Sequence, residues 1–201
     1  MKAYHFVGPT LRDGRPVPPD GEWLEHDGPC VMCESGLHAS RHPFDALRYA
    51  PGSTLCMVEC EDVVEEDSDK FVCRRRRIVR RIDATDLLRR FARAQASKVL
   101  HLWDAPQVVR DYLATGDESL RSAARSAAWS AAWSSASASA AWSAARAAAW
   151  SSASASASAA WSAASAARLS ALSAASAAAS AEEAVRDEFA AMVDEAMGGA
   201  K

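Results

Sequence analysis

Sixty consecutive positions, 122 to 181, hold 31 Ala, 19 Ser, five Trp, three Arg and two Leu, with no Gly, Pro or acidic residue among them. That composition narrows the possible folds. Ala and Ser bring little apolar surface, and at ~25 cal/mol per Å² buried they cannot fix a tertiary fold alone. Trp, burying ~150 to 250 Å² per side chain, is the one residue type here large enough to supply a core. When the chain is advanced by about 100° per residue, as in an α-helix, Arg121, Arg125, Trp129, Trp133, Trp142, Arg146, Trp150, Trp161, Arg168, Leu169 and Leu172 fall in one half-circle. The other half contains only Ala and Ser.

Three structures suit such a tract. The SASAS runs at 135–139 and 152–158 alternate like a silk strand, but the Trp occupy odd positions 129, 133 and 161 and even positions 142 and 150. A strand would scatter them over both faces, and Ala is the best helix former. An ice-binding helix needs regularly spaced Thr, and no Thr follows Thr115. The third form is a helix whose small-residue face admits another backbone closely while Trp and Arg cover the other side, and this is the one expected.

No Gly or Pro interrupts the chain between Gly116 and Gly198, and one straight helix over that length would extend about 120 Å. An internal echo favours folding back instead: Trp133-SSASASAA-Trp142-SAARAAA is followed by Trp150-SSASASASAA-Trp161-SAASAAR. Repeats stack, and the Ser pairs at 134–135 and 151–152 are placed to cap a new helix after a turn. The folded-back array is expected, with the single long helix as the alternative.

The other residues set wider limits. A chain of 201 residues with net charge −3 has room for one or two small domains. It shows no signal peptide at Met1 and no apolar run long enough for a membrane span, so a cytoplasmic protein is expected. Five Cys, an odd number, agree with a reducing compartment. The composition divides the chain into an α+β domain at 1–83, connecting helices at 84–118, and an Ala/Ser/Trp-rich all-α region at 119–197.

Within 1–83, strands are expected at Ala3–Val7, Glu22–His26, Cys30–Cys33, Ser53–Cys60 and Phe71–Ile82, with an acidic loop between the last two. Pro43 opens a short helix through Ala50, with Phe44, Leu47 and Tyr49 on its apolar face. Asp83 caps the next helix, in which Leu87, Leu88 and Phe91 begin an apolar stripe. Pro106 restarts a helix that Gly116 stops, and Asp117 is placed to cap the long tract. At the far end Val185, Phe189, Met192, Val193 and Met197 recur at helical spacing, so this amphipathic helix must dock on something.

The run Cys33-Glu34-Ser35-Gly36-Leu37-His38-Ala39-Ser40, then Pro43-Phe44-Asp45-Ala46-Leu47 and Tyr49, then Leu55-Cys56-Met57-Val58-Glu59, resembles an uncharacterised domain of phage-encoded and bacterial proteins. Leu100-His101-Leu102-Trp103 and Tyr112-Leu113 before an Ala/Trp repeat resemble phage and actinobacterial proteins with Ala-rich tails, some labelled immunity proteins. These resemblances imply a biological setting and no mechanism.

Four arrangements carry chemistry. Cys30-x2-Cys33-x4-His38-x3-His42 has the ligand types of a tetrahedral zinc site and resembles a zinc knuckle. It departs from that pattern in its last ligand, and no metal or other cofactor is expected. His5, Tyr49 and Glu59 loosely resemble an NAD-using ADP-ribosyltransferase: His5 would hold the nicotinamide ribose, Tyr49 would stack, and Glu59 or Glu61 would stabilise the cationic transition state. Arg74, Arg75, Arg76 and Arg77, with Arg80 and Arg81, form a phosphate-binding pattern that would hold nucleic acid without sequence preference. The acids just before them would instead pair with them across a hairpin. Trp129, Trp133, Trp142, Trp150 and Trp161, with Arg four residues away at several points, would stack on nucleobases or on a packing partner. The expected function is therefore a non-catalytic binding or interaction protein. Its partner is an unknown protein or a second copy through the Ala/Ser face. A transferase and a nucleic-acid binder are the alternatives.

Overall fold

The structure, a computed structural model, describes residues 1–134, 140–151, 157–172 and 178–198. It is α+β. An antiparallel sheet occupies the first 83 residues and helices follow. Two compact units divide the chain, Met1–Thr85 together with the segment from Ala190 on, and Asp86–Phe189.

The sheet is built on a long hairpin, β4 (Thr54–Glu66) and β5 (Phe71–Asp83). β1 (Lys2–Val7) pairs with the free edge of β4, while β2 (Trp23–Glu25) and β3 (Leu37–Ala39) pair with β5. Ser40, just after β3, exchanges backbone hydrogen bonds of 2.8 and 2.9 Å with Tyr4 of β1. β3 thus bridges β5 to β1, and the sheet curls round a core containing Ala3, Val7, Cys56, Val58, Phe71 and Ile78.

Two expectations here are corrected. The acidic stretch from Glu61 is not a loop: β4 runs to Glu66, and the turn is tight, with Asp67 N–H bonded to Lys70 C=O at 2.8 Å. Glu61 stands opposite Arg75 and pairs with it, a cross-strand contact that stabilises the ladder, while beyond it Glu65 and Glu66 stand opposite Val72 and Phe71 and Glu66 pairs with Arg41. Asp62, in left-handed conformation at φ 54°, sits where the register shifts near Val63. Cys30–Cys33 is not a strand either. It is a turn closed by a Val31–Ser35 bridge, with Cys33 at φ 68°. The strand follows at Leu37, once Gly36 at φ 101° has turned the chain beside Val72.

Helix α1 (Pro43–Arg48) starts as expected at Pro43, and His42 caps it by accepting the Phe44 N–H at 3.2 Å. Asp83 accepts the Thr85 N–H at 2.9 Å at the start of α2 (Thr85–Lys98). Helix α3 (Gln107–Thr115) ends at Gly116, which is left-handed at φ 70°.

The long tract folds back. It forms α4 (Arg121–Ser134), α5 (Ala140–Ser151) and α6 (Ala157–Leu172), with α4 against α5 and α5 against α6. Ala packs in the interior: Ala124, Ala128 and Ala132 of α4, Ala144, Ala145, Ala147, Ala148 and Ala149 of α5, and Ala163 and Ala164 of α6 are all buried. Tyr112 of α3 reaches into this layer and donates to the Ser151 carbonyl at 3.2 Å.

The helical-face expectation needs revision. In α4 the small-residue side is not buried throughout: the buried Ala124, Ala128 and Ala132 lie beside half-buried Trp129, while Ser122, Ala123 and Ser126 face solvent. Ser134 and Ser151 are the last described residues of α4 and α5, and each hydroxyl donates to the carbonyl three residues back, at 3.0 and 2.7 Å. Residues 135–139 and 152–156, including the second Ser of each pair, lie outside the described residues, as do the side chains of Ala140 and Trp142. The amphipathic helix α7 (Ala178–Ala196) docks on α2 through Phe189, edge-to-face on Phe91 at 4.8 Å. Glu188 accepts from Gln95 at 2.8 Å and pairs with Lys98. Among the described residues, no helix is long and apolar enough to cross a membrane.

Candidate functional site: a cation-lined cavity

A cavity of about 940 Å³ opens in the N-terminal unit. Its walls are β1 from Tyr4 to Val7, the loop through Leu11, Arg12 and Arg15, the turn and strand from Cys33 to Ser40, and Tyr49, Lys70 and Arg76. Register explains the floor. His5 stands opposite Cys56 on β4, Cys60 stands opposite Arg76, and Leu24 stands opposite Arg76 on β2. Directly paired residues share a face and alternate residues along a strand return to it, so His5, Cys56, Cys60 and Arg76 all point inward.

Arg76 is 7% exposed. Its guanidinium donates to the His38 carbonyl, and among the described residues no carboxylate pairs with it. Burial lowers its pKa, and the neighbouring thiols Cys60, Cys73 and Cys56 pull the other way. His5 is held well below the usual histidine value, chiefly by burial and then by the charges on Arg76 and His38, so its imidazole is neutral at neutral pH. His38 accepts the Cys33 N–H through Nε2 at 3.0 Å, and burial, its largest influence, lowers its pKa too. At the rim Arg12 donates to the Cys33 carbonyl at 3.0 Å. Lys70 Nζ lies 3.0 Å from Cys33 Sγ and 4.2 Å from the centre of the Tyr49 ring.

The expected catalytic trio does not converge. His5 and Tyr49 both line the cavity, but Glu59 does not. Glu59 is paired with Lys2 of β1, three positions from His5, which puts it on the opposite face of the sheet. There it binds Arg77, with Nη2 at 2.5 Å and Nε at 2.8 Å, and that bond lowers its pKa. Glu61, the second carboxylate considered, is taken by Arg75 at 2.5 Å.

The four metal candidates disperse in the same way. Cys30 faces the Cys73 carbonyl at 3.8 Å, Cys33 faces Lys70, His38 holds the Cys33 amide and His42 caps α1. Among the described residues no group of three or more potential ligands is placed to hold a metal ion.

The arginine run is divided rather than continuous. Arg74 donates to the Gly28 carbonyl at 3.0 Å. Arg75 bonds Glu25 and Glu61, Arg77 bonds Glu59, and both lie over the Trp23 ring, at 4.6 and 4.7 Å. Arg81 bonds Asp20 at 2.5 Å. Only Arg76 turns inward, and no motif distinguishes it from its neighbours; the available signal was strand alternation, which forbids four consecutive Arg from sharing one face. Of the tract's Trp, Trp129 and Trp150 meet edge-to-face at 5.8 Å and Trp161 is half-buried, whereas Trp133 is 84% exposed. The described Trp side chains thus include one packing contact and one solvent-facing ring, and the Trp142 side chain lies outside those described.

No curated protein and no solved structure matches the chain. Residues 1–90, which contain the whole cavity, match a family described as a domain of unknown function (DUF7666).

Proposed function

We propose that the protein is a non-catalytic binding protein of phage or bacterial origin whose N-terminal domain takes a small ligand into this cavity, while the Ala-packed helices serve as an interaction module for a protein partner or a second copy. One observation carries the reading: the inward-facing polar groups His5 and Arg76 converge with Tyr49 and Lys70 on one concavity of about 940 Å³. That is within the range of ordinary small-molecule sites. The transferase alternative loses support because the carboxylate expected on β4 lies across the sheet. The nucleic-acid alternative loses support because Arg75 and Arg77 are already neutralised by Glu25, Glu59 and Glu61.

The test is a screen of small molecules, NAD among them, followed by two-dimensional amide NMR of the full chain. Shifts clustered at His5, Gly36 and Tyr49 support the reading. Shifts confined to the helices remove it, and NAD turnover by the purified protein overturns the non-catalytic assignment.

A further inference from the structure

Arg76 differs from every other arginine of its strand in what surrounds it. Arg75, Arg77 and Arg81 each have a carboxylate partner, and Arg74 and Arg80 are exposed to water. Arg76 has neither: it is 7% exposed, and among the described residues its one hydrogen-bond acceptor is the His38 backbone carbonyl. A guanidinium carries five N–H donors in a rigid fork, so most of them have no acceptor. Nor is the side chain walled off on every side, since Arg76 lines the cavity. A buried charge without a counterion is among the costliest features a fold can carry. No carboxylate stands among its nearest polar companions: the Cys56 thiol is pushed up to about 11 by burial, the Cys60 thiol is raised as well, chiefly by its bond with Cys73, and the Cys73 thiol is lowered by that same bond.

The cavity as a whole is also short of anions. Arg12, Arg15, Lys70 and Arg76 line it against two carboxylates, Asp13 and Glu34, and Asp13 is already bound to Arg15. His5, held neutral chiefly by burial, faces Arg76 of β5, His38 of β3 and Cys56 of β4. The volume greatly exceeds that of a lone inorganic anion, and Leu24, Leu37 and Val7 supply apolar wall for the rest of a ligand.

Resting on the cavity being a ligand site, we infer that Arg76 is the anchor for the oxyanion of a small organic ligand, a carboxylate or a phosphate ester, with the organic body lying toward Tyr49 and the mouth. The planar fork of Arg matches both groups in bidentate fashion. The arriving anion replaces the missing counterion, and it also favours the protonated form of His5, which then becomes a second charged donor. Anion binding therefore takes up a proton and tightens as the pH falls.

The experiment uses the full chain with phenyl phosphate, benzoate and neutral benzamide as probes, read by calorimetry and by the imidazole resonances of His5. Benzoate or phenyl phosphate binds, whichever is tighter identifying the carboxylate or the phosphate source, benzamide binds at least tenfold more weakly, and the His5 pKa rises with the anion present. Arg76→Met weakens the anion roughly 10- to 100-fold, the cost of removing a charged hydrogen-bond partner. It also raises the melting temperature of the unliganded protein, because an apolar side chain of similar length removes the uncompensated charge. Arg80→Met, on an exposed side chain of the same strand, leaves binding unchanged. If Arg76→Met does not fold, Arg76→Lys, which keeps the charge and loses the fork, takes its place with the same loss expected. Equal binding of benzamide and benzoate, with Arg76 variants indifferent, overturns the anion anchor but leaves the cavity as a ligand site. Anion binding that survives in Arg76→Met and is lost in Arg12→Met overturns it in favour of the rim. Binding of no probe at the cavity overturns both readings.

Discussion

At the scale of single residues, the interior of the N-terminal domain is an environment in which ordinary groups behave unusually. His5 is neutral in the folded state because burial and the Arg76 charge depress its pKa well below 6.5. The unfolded chain, with its ordinary imidazole, therefore binds the proton more readily. Stability is unaffected above pH ~6.5 and falls as the pH drops through that value toward the folded pKa. Urea titrations at pH 7.5 and pH 5 check this, with the pH sensitivity reduced in His5→Asn. The cysteines divide in the same way. Cys33 is exposed, whereas Cys56, Cys60 and Cys73 are at most 1% exposed. Iodoacetamide followed by mass spectrometry is expected to label Cys33 in minutes and the three buried thiols only on unfolding, because attack needs an accessible thiolate. Little of this could be read from residue types. His5 was recognisable as a chemically capable residue on a strand, but its neutrality depends on Arg76, 71 positions away, and only the pairing register joins them.

At the scale of elements, the helices of the tract rest on small side chains that let backbones approach closely. Ala144 of α5 is fully buried, so Ala144→Leu inserts volume where none is free and costs ~1 to 3 kcal/mol. Ala123→Leu, on the exposed side of α4, changes stability by less than ~0.5 kcal/mol. Thermal melts of the two variants check the difference, and equal effects would remove the close-packing account. Gly116 is a second such point. Its φ of 70° suits glycine, and an added Cβ would meet the Arg93 guanidinium at 1.5 Å. Gly116→Ala should lower stability by ~1 kcal/mol or more. Helix identity, the stop at Gly116 and the cap at Asp83 were legible because composition and local hydrogen bonding decide them. The side-by-side packing of α4, α5 and α6 was less so. The Ser134 and Ser151 hydroxyls donate to carbonyls three residues back in their own helices, an alternative to capping an amide that the residue type alone does not decide.

At the scale of the molecule, both ends of the chain contribute to the first unit, since the segment from Ala190 on belongs with Met1–Thr85. In that segment Val193 is fully buried and Met197 is 6% exposed. A chain ending at Phe189 loses both, and at ~1.5 to 3 kcal/mol per buried apolar side chain the N-terminal domain should melt at a clearly lower temperature, measured by circular dichroism against the full chain. The division into a strand-rich part and a helical part followed from sequence alone, because hydrophobic period and Ala content are local properties that any segment expresses regardless of its partners. So did the likelihood that neighbouring acids and arginines pair, once a hairpin was assumed. The cavity, the separation of Glu59 from His5 and the inward turn of one arginine among four were decided by tertiary structure. Each depends on strand register, in which a shift of one residue exchanges the two faces of a strand, and register belongs to the paired strands together, from the β4–β5 ladder to the Tyr4–Ser40 bridge, so that no single residue type reveals it.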